Sequence, residues 1–365
     1  MTPLTLTTDV DARPLERIGV IKPSALGDVV QSLPILPALR HRFPNARLSW
    51  VIQRGLEDLV AGHPDIQDVI LFDRRGGWGS WCRMLSELHR CRFDLVIDLQ
   101  GLLRTGLMTA ATRAAYRIGL ETAREGSHWS LTQVIPGTGR NVAAHERYLR
   151  VVDALGADRR HCQTIISVSM ADQIWAEQQL RDLPRPIFAV HPGARWETKR
   201  WPVEQFAEVT ARAVREWQAG VLILGSPAEQ SDAERLVERL QELSPQAAVR
   251  NLTGQTTLKQ LTGLLQRVDA VISNDSGPMH LAAGLGTPTL GIFTCTSAVR
   301  SGPAGSQHET VSTALPCGGS YHKRCPHSGT AHQACFQELS VERVWSALQR
   351  LVHKNGIDGR RSRVA

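Results

Sequence analysis

Apolar positions along the chain alternate between two periods, and the alternation recurs. Residues 17–21 form a short apolar run that ends in Lys22-Pro23-Ser24-Ala25-Leu26-Gly27-Asp28, after which Val29, Val30, Leu33, Leu36 and Leu39 return at helical spacing. This predicts strand, loop, helix. Further strands are predicted over 48–52, 68–72 and 95–99, with a helix over 79–89. A turn-rich stretch, 137–141, precedes helices over 145–155 and 171–180, the second leading into Pro184-Arg185-Pro186. The alternation then restarts, with strands over 187–191, 220–224, 248–252, 270–273 and 289–293. Between them fall helices over 203–216, 229–240 and 258–265 and one starting at Pro278, and a helix over 341–352 closes the pattern.

Strands alternating with helices predict an α/β protein, with parallel sheets covered by helices on both faces. Two such series predict two Rossmann-like, doubly wound domains facing a central cleft. The expected boundaries are a flexible tail over 1–16, an N-terminal domain over 17–170, a linker over 171–186 and a C-terminal domain over 187–340. A closing helix over 341–352 and a basic tail over 353–365 complete the chain. Ligands of such sheets bind beyond the carboxyl ends of the strands. Chemistry is therefore expected in the loops after residues 21, 72, 99, 191, 224, 252 and 273.

Composition narrows the class. A chain of 365 residues suits two domains, and 42% hydrophobic with 21% charged residues is a globular balance. No apolar run is long enough to span a bilayer, and the start carries Asp9 and Asp11 without an apolar run, so a cytoplasmic protein is expected. The formal charge is +7, and lysine occurs only at positions 22, 199, 259, 323 and 354, which leaves 37 of the 42 basic residues as arginine. Arginine-favouring codon usage would produce this, and so would attraction to nucleotide phosphates, acidic glycolipids or an anionic membrane face. No nucleic-acid-binding module is visible, so nucleic acid is not an expected partner.

The seven cysteines, an odd number without a signal peptide, read as reduced thiols. Cys317, Cys325 and Cys335, with His322, His327 and His332 nearby, are the candidate metal ligands, competing with a simple loop of thiols. No pair among them has the two-residue spacing of common zinc sites, and the expectation is no metal.

Three loops carry most of the candidate chemistry. Asp28, in the first turn of its helix, reads either as a carboxylate base or as a helix cap. In the loop over 191–202, Gly193 and Ala194 offer backbone N–H groups to an anion and Lys199 a point charge to a phosphate, against the alternative of a solvated basic loop. Ser276 and Gly277, before Pro278, form a helix start suited to phosphate, with Asp275 orienting a sugar hydroxyl or holding the loop. Glu229 could accept from ribose hydroxyls, and 252–256 could line a base pocket. Trp78 and Trp81, near Arg74, either line an acceptor site or pack a loop. There is no phosphate loop and no well-placed dinucleotide fingerprint. Asp9-Val10-Asp11 is the only Asp-x-Asp and lies in the tail, so basic residues and helix ends must neutralise any leaving diphosphate.

Taken together and in order, these motifs resemble glycosyltransferase family 9, the ADP-heptose:lipopolysaccharide heptosyltransferases of the GT-B fold. The resemblance spans about 17–351. It rests on Ser24-Ala25-Leu26-Gly27-Asp28, Asp98-Leu99-Gln100-Gly101, His145-Glu146-Arg147, Lys199-Arg200-Trp201-Pro202 and Asn274-Asp275-Ser276-Gly277-Pro278-Met279-His280. Asp73-Arg74-Arg75 and Thr122-Ala123-Arg124-Glu125 make it most similar to the type that adds the first heptose to Kdo-lipid A. The chain departs from the pattern at 196–198 and at 317–335, both longer here.

The resemblance implies inverting, metal-independent transfer of heptose from ADP-heptose to the Kdo or inner-core region of lipopolysaccharide. No cofactor is implied beyond the ADP-sugar substrate, and the protein would act as a monomer in peripheral contact with the anionic inner face of the cytoplasmic membrane. It implies Asp28 as general base and Lys199 as stabiliser of the diphosphate. Gly193, Ala194, Glu229, Thr256, Asp275, Ser276, Gly277 and His280 would bind the donor with Lys199. Ser24, Gly27, Arg74, Arg75, Gln100 and Arg124 would meet the acceptor. The alternatives are a relative using another nucleotide sugar or glycan acceptor, and a non-catalytic GT-B protein that binds nucleotide or lipid. Asp28, Lys199 and Asp275 present together favour a catalyst.

Overall fold

The structure, a computed structural model, describes residues 15–358. Asp9, Asp11 and the outer parts of both predicted tails lie outside the described residues. The chain divides into two compact units, Met1–Ser167 and Val168–Ala365. Each is built on a six-stranded sheet in which every pairing is parallel.

The first sheet contains β1 (Arg17–Ile21), β2 (Arg47–Gln53), β3 (Asp68–Phe72), β4 (Leu95–Asp98), β5 (Tyr116–Leu120) and β6 (Gln133–Ile135), in the order β3-β2-β1-β4-β5-β6. The second contains β7 (Ile187–His191), β8 (Gly220–Ile223), β9 (Val249–Asn251), β10 (Ala270–Asn274), β11 (Thr289–Phe293) and β12 (Glu309–Ser312), in the order β12-β11-β10-β7-β8-β9. Counted from its own first strand, each unit has the same doubly wound order. Winding reverses between β1 and β4 and between β7 and β10, and loops leaving two such neighbours diverge to opposite faces, opening a crevice at the strand tips.

The central strands are continuous apolar runs because helices cover both of their faces. All five residues of β7, β10 and β11 are buried. Around the second sheet, Phe188, Trp201, Phe206, Leu236, Ile272, Leu348 and Leu351 form one buried cluster. Ile21, Val51, Phe72, Met84 and Val96 belong to a cluster of the first unit.

Several expectations are corrected. The helix expected after β1 is two helices, Leu26–Ser32 and Ile35–Arg42, with Pro34 at the break. Proline has no N–H to continue the ladder and crowds the preceding turn, although the apolar spacing runs straight through it. The helix Leu103–Thr112 and the strands β5, β6 and β12 were not expected from periodicity. The last two are short edge strands with few apolar positions. The stretch 171–186, read as a linker, begins with the helix Met170–Leu180 inside the second unit. There Ala176 packs so closely on Gly263 that a Cβ at 263 would stand 3.3 Å from it. The closing helix runs Val341–Asn355, three residues into the expected basic tail. No helix among the described residues is long and apolar enough to cross a membrane.

Candidate active site

Each unit carries its own cluster of polar side chains at the crevice where strand order reverses. In the second unit the cluster is built from the tips of β7, β8 and β10. The Lys199 ammonium donates to Asp275 Oδ2 at 2.7 Å, with the two side chains only 17% and 6% exposed. His280, in the first turn of the helix Gly277–Gly284, sets Nε2 3.6 Å from the other oxygen of Asp275. Burial alone would raise the Asp275 pKa, but His280 and Lys199 outweigh it and hold the carboxyl well below the usual range. Asp275 is therefore an anion that fixes the lysine at the β10 tip. Ser276 caps the helix behind it, and Pro278 suits the helix start. The Met279 N–H is taken by the Ser276 hydroxyl at 3.5 Å and Pro278 has none, so Gly277 is the first-turn residue whose amide suits an anion.

A second polar cluster stands beside the first. His191, the buried last residue of β7, contacts Ser276 Oγ at 3.2 Å through Nδ1 and lies 3.7 Å from Glu229 Oε2 through Nε2. Glu229 also accepts from the Ser226 N–H at 2.7 Å and the Ser226 hydroxyl at 2.8 Å. Burial works against its charge, but His191 and Ser226 lower its pKa to about 2. This carboxylate explains Gly193: a Cβ there would meet Glu229 Oε1 at 1.8 Å. Gly193 and Ala194, both buried, thus run directly beneath Glu229. The loop is held by Arg200, whose Nε donates to the Ala194 carbonyl at 2.8 Å. Asn274 clips it to β10, donating to the Pro192 carbonyl at 2.6 Å and accepting from the Trp201 N–H at 3.2 Å. Thr256 lies half-buried in the loop after β9, one strand beyond β8.

In the first unit, Asp28 is not the cap of its helix. It stands three positions after the capping residue Ala25, is half-buried, and accepts one long bond from the Ala25 N–H at 3.3 Å. That bond is the return half of a capping box, so Asp28 helps close the helix start while its charge lies close enough to Lys22 to act on it. Ser24 and Gly27 flank it on the same loop. Behind it lies buried Lys22, which donates to the Leu99 carbonyl at 3.1 Å and sits 5.6 Å from the Tyr148 ring. Burial opposes the charge of Lys22, yet Tyr148, Asp28 and Asp98 together raise its pKa above the ordinary value.

Asp98 ends β4. One of its oxygens accepts the N–H groups of Gln100 and Gly101, each at 2.9 Å, and this turn presents Gln100. The other oxygen is buried without a partner, and burial raises the Asp98 pKa despite those two bonds. Gly101 has φ +64 and lies so close to Ala123 that a Cβ would approach its Cα to 2.7 Å. The Arg124 N–H donates to the Gly101 carbonyl at 2.9 Å, so Gln100 and Arg124 are neighbours. Arg74 and Arg75 are exposed after β3 at the sheet edge, two strands from β1 and so about 10 Å away at ordinary strand spacing. Asp73 orders that loop, accepting from the Arg75 N–H at 2.9 Å and lying 3.6 Å from Arg54.

The sequence pair Trp78 and Trp81 separates into two roles. Trp81 packs edge-on against Phe72 with centroids 5.6 Å apart, whereas Trp78 is 83% exposed. Among the described residues no group of three or more His, Cys, Asp or Glu is placed to hold a metal. Cys317, Cys325 and Cys335 are free thiols, with Cys335 pushed up to about 11 by burial and then by Cys317 and Cys325. Sequence reasoning assigned no role to Lys22, Asp98, Tyr148, His191 or Asn274. Four of these end a buried strand or directly follow one, and a polar residue closing an apolar run was the available signal.

Known proteins place the chain. Residues 81–331 match the model of glycosyltransferase family 9 (heptosyltransferase), well over half of the sequence. The chain is 28% identical to lipopolysaccharide heptosyltransferase 1 of Pseudomonas aeruginosa over 362 residues, 92% of this chain and 98% of that protein. It is 26% identical to the lipopolysaccharide core heptosyltransferase OpsX of Haemophilus influenzae over 295 residues, 80% and 83% of the two. The fold is shared with the Escherichia coli heptosyltransferase WaaC solved with ADP, at a TM-score of 0.67 and 22% identity, over 93% of this chain and 99% of that one. With two doubly wound sheets, a cluster at each crevice and this match, the chain belongs to glycosyltransferase family 9, the heptosyltransferases.

Proposed function

We propose that this enzyme transfers heptose from ADP-heptose to the Kdo or inner-core region of a lipopolysaccharide precursor, with inversion and without a metal. The observation that carries the reading is the buried Lys199–Asp275 pair beside the helix start at Ser276 and Gly277. A lysine held by a carboxylate that cannot protonate near neutral pH is a fixed cation. With the backbone amide of Gly277 at the helix start it makes a cradle suited to a diphosphate. Glu229 and Thr256, at the tips of neighbouring strands, suit the ribose and base, and Asp275 the sugar region. The relative solved with ADP supports the choice of nucleotide.

Asp28 takes the proton of the attacking acceptor hydroxyl as its oxygen bonds to the anomeric carbon. The bond from that carbon to the donor phosphate breaks, its electron pair leaves on ADP, and Lys199 with the amide cradle stabilises the developing charge. Attack opposite the leaving group inverts the centre. Arg74, Arg75, Arg124 and Gln100 suit acidic sugars and phosphates of the acceptor. The protein acts as a monomer at the cytoplasmic face of the inner membrane, where such an acceptor is presented.

The test combines the purified protein with ADP-heptose and Kdo-lipid A in the presence of a chelator and reads the product by mass spectrometry, with the anomeric configuration by NMR. Transfer with inversion is expected. Transfer only from another nucleotide sugar, only with added metal, or with retention would overturn the corresponding part. Nucleotide binding without transfer to any glycan would leave a binding protein.

A further inference from the structure

Four large apolar side chains of the first unit stand out in solvent: Trp78 at 83%, Trp129 at 57%, Leu103 at 46% and Leu107 at 40% exposure. They lie on three consecutive packed elements, the helix Gly77–Arg90, the helix Leu103–Thr112 and the turn Ser127–Ser130. The second helix meets the turn at Gly106, where a Cβ would stand 3.1 Å from Ser127. Leu103 and Leu107 are one helical turn apart, so they share the outward face, while Thr105, Met108, Thr109 and Thr112 point into the unit. A helix that buries threonines and exposes leucines inverts the usual pattern.

The surroundings are cationic. The helix Leu103–Thr112 has no acidic residue, and Arg104 stands close enough to Arg74 for the two charges to repel. The Arg104 Nε is buried without a partner. Arg83 and Arg124 are exposed on the neighbouring segments. The nearby acids are engaged locally: Asp73 with Arg54 and the Arg75 N–H, and Glu125 with the Leu103 N–H. Exposed tryptophans and leucines rimmed by arginines match the interfacial layer of an anionic bilayer, with apolar groups at the acyl boundary and guanidiniums among phosphates.

We propose that the surface formed by Trp78, Leu103, Leu107 and Trp129 inserts shallowly into a bilayer bearing anionic phospholipid. The inference deepens the functional reading and rests on it for its purpose, since the surface adjoins Gln100 and Arg124, where a lipid-linked acceptor would arrive.

The experiment measures co-sedimentation of the full chain with vesicles of phosphatidylethanolamine and phosphatidylglycerol, against vesicles of phosphatidylcholine alone. Wild type is expected to favour the anionic vesicles. The variant Trp78→Ala/Leu103→Ser/Leu107→Ser/Trp129→Ala is expected to bind at least about tenfold more weakly while keeping its circular dichroism. Independently, doxyl-labelled lipid should quench wild-type tryptophan fluorescence more than that of Trp78→Phe/Trp129→Phe, a mild change that preserves folding. Unchanged vesicle binding in the first variant together with equal quenching in the second would overturn the proposal. So would a soluble dimer of the wild type that the first variant dissociates, since the face would then be covered by a second copy. Vesicle binding is read without turnover, so it is decided separately from donor and acceptor identity.

Discussion

The two units share one strand order yet differ in how their crevices are furnished. In the second, the polar side chains bind one another: Lys199, Asp275 and His280 form one chain of contacts, and His191, Ser276, Glu229 and Ser226 another. In the first, Asp28 takes a single long bond, one oxygen of Asp98 has no partner, and Arg74 and Arg75 stand in solvent. A crevice whose charges are already fixed suits a ligand that never changes, such as a nucleotide diphosphate, because little reorganisation is needed when it arrives. One with spare valences suits a larger and more variable acceptor. Two claims follow that experiment can break: mutations in the second cluster should damage folding and function together, and those in the first should damage function far more than folding.

The largest expected effect tests the second of those claims. Asp28→Asn keeps shape and removes the base, so kcat should fall by about 10²–10⁴-fold. ADP affinity should stay within error and melting temperature should fall only slightly, because the side chain makes one long bond and otherwise loses only its charge near buried Lys22. Equal loss of ADP affinity, measured by calorimetry, would show that Asp28 serves the nucleotide and would dissolve the contrast. Lys199→Ala is the counterpart. It strands Asp275, whose side chain is 6% exposed, as a buried anion with only His280 beside it. Removing one partner of a buried pair costs about 3–5 kcal/mol, so chemical denaturation should show a clear loss of stability along with weakened ADP binding. A Lys199→Ala protein as stable as wild type would mean the pair is solvated and the second cluster no more rigid than the first.

Much of this contrast was legible in the sequence, though unevenly. β1, β3, β7 and β11 end where the apolar runs end, because buried parallel strands need unbroken apolar character. Ser276, Gly277 and Pro278 announced a helix start on residue type alone, and the structure has one there. The role of Gly193 was not legible in the same way. It was read as a donor of backbone N–H, but what forbids a side chain there is the carboxylate of Glu229, 36 positions away and visible only after folding. Asn274 and His191 likewise act through partners distant in sequence. Pro34 was legible and was overridden by a periodicity that continued across it. β6 and β12, at sheet edges, bury too few side chains to leave a pattern.

Acid should sharpen the contrast further, with an effect of intermediate size. Glu229 has its pKa lowered to about 2 in the folded protein, from an ordinary value near 4.5. A depressed carboxylate pKa contributes stability that is present in full above the unfolded value and disappears as pH falls through the folded one. Wild type should therefore exceed Glu229→Gln in unfolding free energy by on the order of 2–3 kcal/mol at pH 6. The difference should close between about pH 4.5 and pH 2. A gap that persists unchanged at the acid end would assign the stabilisation to packing over Gly193 rather than to the contacts with His191 and Ser226.

The smallest effect on folding should come from the arginines at the β3 tip, and that smallness is informative. Arg74 and Arg75 are exposed, and substitutions at such positions usually move stability by less than about 0.5 kcal/mol. Their interaction with the acceptor has no such limit, because a guanidinium meets a sugar acid or phosphate in bidentate fashion and lysine does not reproduce that geometry. Arg74→Lys/Arg75→Lys should thus leave melting temperature and donor KM unchanged and raise acceptor KM. The increase should shrink as salt is added, since exposed charges are screened over about 8–10 Å at moderate ionic strength. If donor KM rises instead, these side chains belong to the nucleotide crevice, and the division of labour between the two units is not the one their side-chain networks suggest.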